Sequence, residues 1–419
     1  MTGSAGKGGL ALFRDFRLLL YLFVGFRLMM LIVYQPILVG GIERGVTAGG
    51  DFSYFYALGQ LSDAGHLPFR DYWYEFPPLW AASYLAVYQL TASGAGPSYT
   101  TFASMMGLVM LAFDTGSLVL LRRIGGCLHG SDVGLSLAWV YAALTAPAVF
   151  IWWNFESIVA FWFLLGLWEL VQGRDLRGGV ATLAGSLFKF VPLVLLGPVW
   201  RFWGWRAALR YTLVALGGFA LVYGLLIAVT GEMGTASLLA QFSKASYGTV
   251  WALLDGNYTT GIFGSIEAHF DPASATEPQG NPAVIPWWLR LVVFGGAGLY
   301  AFAQVRRFDA RGVVAFAGLT LLLFFLWAQG WSPQWLLLII PLVLLNFPDR
   351  NGVLLVLLLS LMAFTEYPLL FIRTGDTGGV LTGGLVPPFV ALVLARTAIL
   401  AGLAVALFLR LRRPVGEVE

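Results

Sequence analysis

Apolar runs of membrane-crossing length recur along this chain, near residues 16 to 39, 100 to 121, 132 to 150, 155 to 171, 207 to 230, 286 to 305, 312 to 328, 334 to 347, 352 to 371 and 386 to 409. A helix needs about 20 apolar residues to cross a hydrocarbon layer of about 30 Å, and inside that layer every backbone polar group must be satisfied within the protein. So many runs leave one class, an all-α polytopic membrane protein read as a single transmembrane domain over residues 1–419. Composition agrees: 58% of the residues are hydrophobic, 11% are charged and the mean hydropathy is +0.78, far from the balance of a water-soluble domain. A net charge of +3 gives no basis for nucleic-acid binding, and the single cysteine, Cys127, excludes an intramolecular disulfide.

The stretch 178 to 200 reads differently, because Arg174, Arg177, Arg201, Arg206 and Arg210 flank it while Lys189 and Pro192 interrupt its middle. That pattern predicts a hairpin of two helices with Lys189 near the outward tip, for about 12 transmembrane crossings in all. A cytoplasmic N-terminus, carrying Lys7, Arg14 and Arg17, also places Arg122, Arg123, the hairpin arginines, Arg306, Arg307, Arg311, Arg350, Arg410, Arg412 and Arg413 inside. Arg44, Arg70, Lys244, Arg290 and Arg373 fall outside, the bias that the positive-inside rule describes. Both termini then face the cytoplasm, and the expected localisation is the plasma (inner) membrane. Leu79 to Leu90 is too short to span and is bounded by Pro77-Pro78 and a Gly-rich segment, which predicts a juxtamembrane helix in the interface. The outer polar mass collects in a first loop, residues 41–99, and a second, residues 231–285.

Asp51, Asp63, His66, Asp71, Glu75, Glu156, Asp255, Glu267, His269 and Asp271 all fall on that outer face, with Lys189 and Arg373 approaching it. Carboxylates beside a few cations at a membrane boundary suit a reaction in which a hydroxyl loses its proton while a lipid phosphate departs. Asp51 is the leading base: Gly49-Gly50 lets the chain bend before it, and Phe52 to Tyr56, with Tyr54 among them, offers an aromatic wall for a sugar ring. The alternative is a carboxylate that merely caps the helix starting at Phe52. Lys189 within an apolar stretch demands a partner or a cavity, so phosphate contact stands against snorkelling. Arg373 and Lys244 are second-rank phosphate candidates. In Trp152-Trp153-Asn154-Phe155-Glu156 the tryptophans suit an interfacial belt, while Asn154 and Glu156 can hydrogen-bond sugar hydroxyls.

Asp51 with its aromatics, Gly65-His66-Leu67-Pro68-Phe69-Arg70-Asp71, and Tyr74-Glu75-Phe76-Pro77-Pro78-Leu79 together resemble the first periplasmic loop of GT-C integral-membrane glycosyltransferases. Phe188-Lys189-Phe190-Val191-Pro192 and Trp331-Ser332-Pro333-Gln334-Trp335 with Pro341 resemble motifs of the mannosyl-transferring members. Family 87 is among these, with its polyprenyl-phosphomannose-dependent α-1,2-mannosyltransferases of phosphatidylinositol mannosides. The resemblance implies a GT-C fold with periplasmic juxtamembrane helices and inverting transfer of a sugar, mannose first, from a polyprenyl-phosphate donor to a lipid or glycan acceptor, among membrane lipids. It implies Asp51 as base, Lys189, Arg373, His269 and Gln334 at the donor phosphate and lipid, and Tyr54, Tyr74, Glu75, His66, Asn154, Glu156 and Trp331 around the substrates. Two positions depart from the family. Ser53 stands where many members carry a second acid, which favours metal-independent chemistry without a cofactor, and Phe76 replaces the Lys that some members place before Pro-Pro.

Two alternatives remain open at this stage. One is a ligase or polymerase of the same superfamily with a pyrophosphate-linked donor, for which the outer face has few basic residues. The other is a lipid or solute transporter using Arg27, Asp114, Lys189 and Arg396 as a pathway; no internal repeat supports it.

Overall fold

A computed structural model describes residues 12–34, 37–39, 42–44, 50–92, 98–150, 154–261, 264–277, 279–374 and 378–415. Lys7, Gly49, Trp152 and Trp153 lie outside those ranges. Six helices among the described residues are long and apolar enough to cross a membrane: Phe16–Val33, Tyr99–His129, Trp205–Thr230, Ala310–Trp327, Arg350–Thr374 and Gly383–Arg412. Val191–Phe202 and Pro333–Asn346 are apolar but shorter. The chain is an all-α membrane protein.

The runs map onto helices with three differences. The apolar run 16 to 39 is helical to Tyr34, and Ile37–Val39 pairs antiparallel with Ile42–Arg44, Ile37 opposite Arg44. The run 132 to 150 divides at Leu144 into Ser131–Ala143 and Thr145–Phe150. The stretch 178 to 200 forms Asp175–Ser186 and the short helices Val191–Leu195 and Leu196–Phe202, with Lys189 in the non-helical turn between them.

Leu336–Asn346 is buried at every position, against Tyr99–His129, Glu156–Val171 and Ala310–Trp327. Two buried arginines of the bundle are paired with acids. Arg27 meets Asp114 at 2.8 Å, and the Tyr141 hydroxyl donates to the same carboxylate at 2.6 Å. Arg396 meets Glu366 at 2.5 Å. Paired and hydrogen-bonded in this way, buried charges cross-link helices instead of lining a path.

Two helices outside the long spans position the site. Asp51–Asp63 and Pro78–Ala92 lie side by side, and Gly59 sits so close to the Tyr88 ring that a Cβ there has no room. Their shared face is aromatic. Phe55 stacks on Tyr84 with ring centres 5.7 Å apart, and Trp80 stacks at 4.2 Å on Phe155, just ahead of Glu156–Val171. Rigid ring contacts of this kind fix the start of the Asp51 helix against the start of the Glu156 helix.

Candidate active site

A cavity of about 570 Å³ opens where helix ends converge. Its wall takes in the start of Asp51–Asp63, residues 75–77, Asn154, the turn at Lys189, the end of Glu232–Ser243, the first turn of Trp287–Gln304 and the Gly330 to Trp335 segment.

Asp51 is the first helical residue, and Gly50, in extended conformation, occupies the N-cap. The capping alternative therefore does not describe it. Its carboxylate accepts a hydrogen bond from the Asn154 amide across 103 positions of sequence, while Ser53 donates its hydroxyl to the Gly50 carbonyl at 3.2 Å. Burial pushes the Asp51 pKa up to about 7; Glu75 and Glu156 add to the rise, while Lys189 and the Asn154 hydrogen bond oppose it. A carboxylate poised near neutrality is what general-base work at physiological pH requires.

Three cations line the same cavity. Lys189 donates to Glu156 at 2.6 Å and lies over the rings of Phe155 and Trp335 at 5.5 and 5.6 Å. Lys244 pairs with Glu75 at 2.8 Å; burial works against its charge, but Glu75, Tyr247 and Asp51 together hold its pKa above the ordinary value. Arg290, only 2% exposed, reaches Gln329 at 3.4 Å, and its Nε and Nη1 have no hydrogen-bond partner. A buried guanidinium with open donors is costly unless a ligand completes it.

Asp51, Tyr54, Glu75, Asn154, Lys189, His269 and Gln334 all line the cavity. His269 stacks on Trp73 at 3.8 Å, and burial holds its imidazole below the usual pKa against the pull of Glu75, so it sits neutral. Gln334 keeps its carbonyl oxygen unpartnered.

The other residues singled out from the sequence lie elsewhere. Glu156 is fully buried behind Lys189, and Tyr74 is buried among Phe69, Phe76 and Tyr84. His66 packs edge-on against Phe270 at 5.2 Å, outside the cavity wall. Trp331 is turned inward, donating to Glu366 at 3.2 Å under the Arg396 guanidinium. Arg373 is exposed near the end of Arg350–Thr374, so it does not join Lys189 as expected.

Sequence reasoning missed Arg290, Gln241, Tyr247 and Ser332, all on the wall. For Arg290 a signal existed: an arginine in the first turn of an apolar helix, directly after Pro286-Trp287-Trp288-Leu289, is as expensive as Lys189 in its stretch. Tyr247 is set by backbone pairing, since its carbonyl accepts from Trp331 N at 3.0 Å and its N–H donates to Gln329 at 3.2 Å. Gly330 makes that seam fit, because a Cβ there would collide with the Tyr247 ring. Arg396 ties the seam to the bundle by donating to the Gly248 carbonyl.

No protein-family model and no curated protein sequence matches the chain. Its structure is similar to ArnT from Cupriavidus metallidurans in the apo state, with a TM-score of 0.50 and 14% identity over 97% of this chain and 77% of that one. The two share a fold of the GT-C type. ArnT bound to undecaprenyl phosphate aligns with a TM-score of 0.48 and 15% identity, covering 97% of this chain and 73% of the other. The apo oligosaccharyltransferase of Archaeoglobus fulgidus aligns at 0.43 and 12%, covering 99% and 57%.

Proposed function

We propose that this protein is an inverting glycosyltransferase. In this reading it moves a sugar, mannose by the family resemblance, from a polyprenyl-phosphate donor to a hydroxyl of a lipid or glycan acceptor on the outer face of the plasma membrane. The observation that carries the reading is one cavity that joins a carboxylate held near neutrality to three cations, between walls of aromatic residues. Asp51 takes the proton of the acceptor hydroxyl, the oxygen attacks the anomeric carbon in line, and the C–O bond to phosphate breaks on the opposite side. The donor phosphodiester carries one negative charge and the departing polyprenyl phosphate close to two. Lys189, Lys244 and Arg290 meet the charge that develops. Twelve crossings with cytoplasmic termini, as the basic residues suggest, set this cavity outside.

The chemistry proposed needs no metal, because the three side-chain cations on the wall supply the charge. Transfer from radiolabelled polyprenyl-phosphomannose by the purified protein is expected to proceed unchanged in excess chelator. A rate restored only by a divalent ion refutes the metal-free reading. Activity with a nucleotide sugar or a pyrophosphate-linked oligosaccharide, but not with the phosphomannose, removes the proposed donor.

Glu75 supplies a second check, since its charge is the largest contribution after burial to the raised pKa of Asp51. Glu75→Gln eases ionisation of Asp51, so the limb of the activity profile that rises with pH moves to lower pH. A profile left in place means that Asp51 does not govern it.

A further inference from the structure

Behind the Glu75–Lys244 pair lies a second, smaller chamber of about 60 Å³. It shares Glu75, Lys244, Tyr247, Gly264 and His269 with the main cavity, so a single layer of side chains separates the two spaces. The walls differ in chemistry. The main cavity adds Leu238, Phe242, Trp287, Phe324 and Trp327, with Phe242 and Trp287 55% and 43% exposed at the molecular surface. Such a wall suits a hydrocarbon chain arriving from the membrane. The smaller chamber adds hydroxyl, carboxylate and carboxamide groups instead, from Ser243, Ser274, Glu277 and Gln279.

We infer that this chamber is the acceptor subsite, taking a polyhydroxylated headgroup from the aqueous side while the lipid donor lies along the aromatic wall of the main cavity. The inference rests on the reading of the Asp51 cavity as the transfer site. Its size fits one sugar ring's hydroxyl edge, because a water needs roughly 10–15 Å³ by the same measure and the chamber holds several. Glu277 and Gln279 are exposed on the outer loop and contribute acceptors and donors that a polyol matches and an alkyl chain does not. The partition is firm on one side and movable on the other. Trp73 and His269 are stacked at 3.8 Å and locked by a Trp73 Nε1 bond to Ser274 at 2.9 Å. The Glu75–Lys244 pair, by contrast, keeps partial exposure, 11% and 27%, and is the polar part of the partition, where an incoming hydroxyl finds both a donor and an acceptor. An acceptor hydroxyl that crosses there reaches the space that Asp51 lines.

A photoreactive octyl mannoside, with its diazirine on the carbon next to the sugar, tests the placement without requiring turnover. Labelling of the purified protein is expected at residues 243–245 and 274–279 and is expected to be competed by free methyl mannoside. Labelling confined to 238–242 and 324–327, or labelling that free sugar does not compete, overturns the inference. The double variant Glu277→Ala, Gln279→Ala is expected to raise KM for octyl mannoside as acceptor by about 10-fold, with KM for the polyprenyl-phosphate donor moved less than about 2-fold. Equal effects on both substrates also overturn it. Photolabelling does not depend on Asp51, so retained transfer by an Asp51→Asn protein with intact labelling refutes the catalytic reading and leaves the chamber standing.

Discussion

Asp51→Asn is expected to lower glycosyl transfer by about 10³-fold, within the range that a positioned general base contributes. Loss falls on kcat, with donor KM little changed, because proton removal matters only as the acceptor oxygen attacks. The amide is nearly isosteric and remains able to bond Asn154, so the geometry of the wall survives. Stability moves the other way. The native pKa of Asp51 stands at about 7, above the 3.8 of the free carboxyl, so its contribution to stability is present below about pH 4 and is lost as pH rises through about 7. At pH 8 the carboxylate is ionised in a buried site that disfavours its charge, and the asparagine removes that cost. The variant's Tm therefore exceeds wild type by more at pH 8 than at pH 5. Thermal unfolding at both pH values with a transfer assay checks the pair of signs; an inactive variant that is also less stable at pH 8 indicates a structural role.

Much of the architecture is legible because a membrane span is written locally. Ala310–Trp327 follows an apolar run that any window finds, and Tyr99–His129 begins where its run does but continues past it through Arg122 and Arg123; the break around Lys189 follows from one charge and one proline in an oily stretch. Asp51 and Glu75 are visible for the same reason, as acids beside glycine or proline in a polar loop. What is hidden depends on tertiary approach. Nothing near Asn154 in the sequence says that its amide reaches a carboxylate 103 positions away, or that Lys244 closes on Glu75. Trp331 and Gln334 are three residues apart, yet one faces an internal ion pair and the other the cavity. Arg373 and Arg290 both fall on the outer side by sequence, and of the two only Arg373 stands out there as a phosphate candidate. Burial separates them, and burial is decided by which helix packs over which end.

The second large effect concerns that buried arginine. Arg290→Met is expected to reduce transfer by about 10²-fold, the scale of losing one charged group that stabilises a developing anion. The phosphate gains charge as the bond to the sugar breaks, so the contact strengthens in the transition state and its loss falls more on kcat than on KM. Arg290→Lys restores a positive charge without the planar fork and recovers part of the rate. Protein stability gives the distinguishing sign. Two guanidinium nitrogens of Arg290 have no hydrogen-bond partner inside the protein, and Gln329 at 3.4 Å and the Trp251 ring at 5.4 Å compensate its burial only in part, so removing the charge relieves a desolvation cost. The Met variant should melt at or above the wild-type temperature. Lys189→Met is the control: it leaves Glu156, 0% exposed, without the ammonium that meets it at 2.6 Å, a loss of about 3–5 kcal/mol for a buried pair broken on one side. Both variants lose activity and only the lysine variant loses stability; an Arg290→Met protein that is destabilised yet active reverses the assignment of Arg290 from ligand contact to structural support.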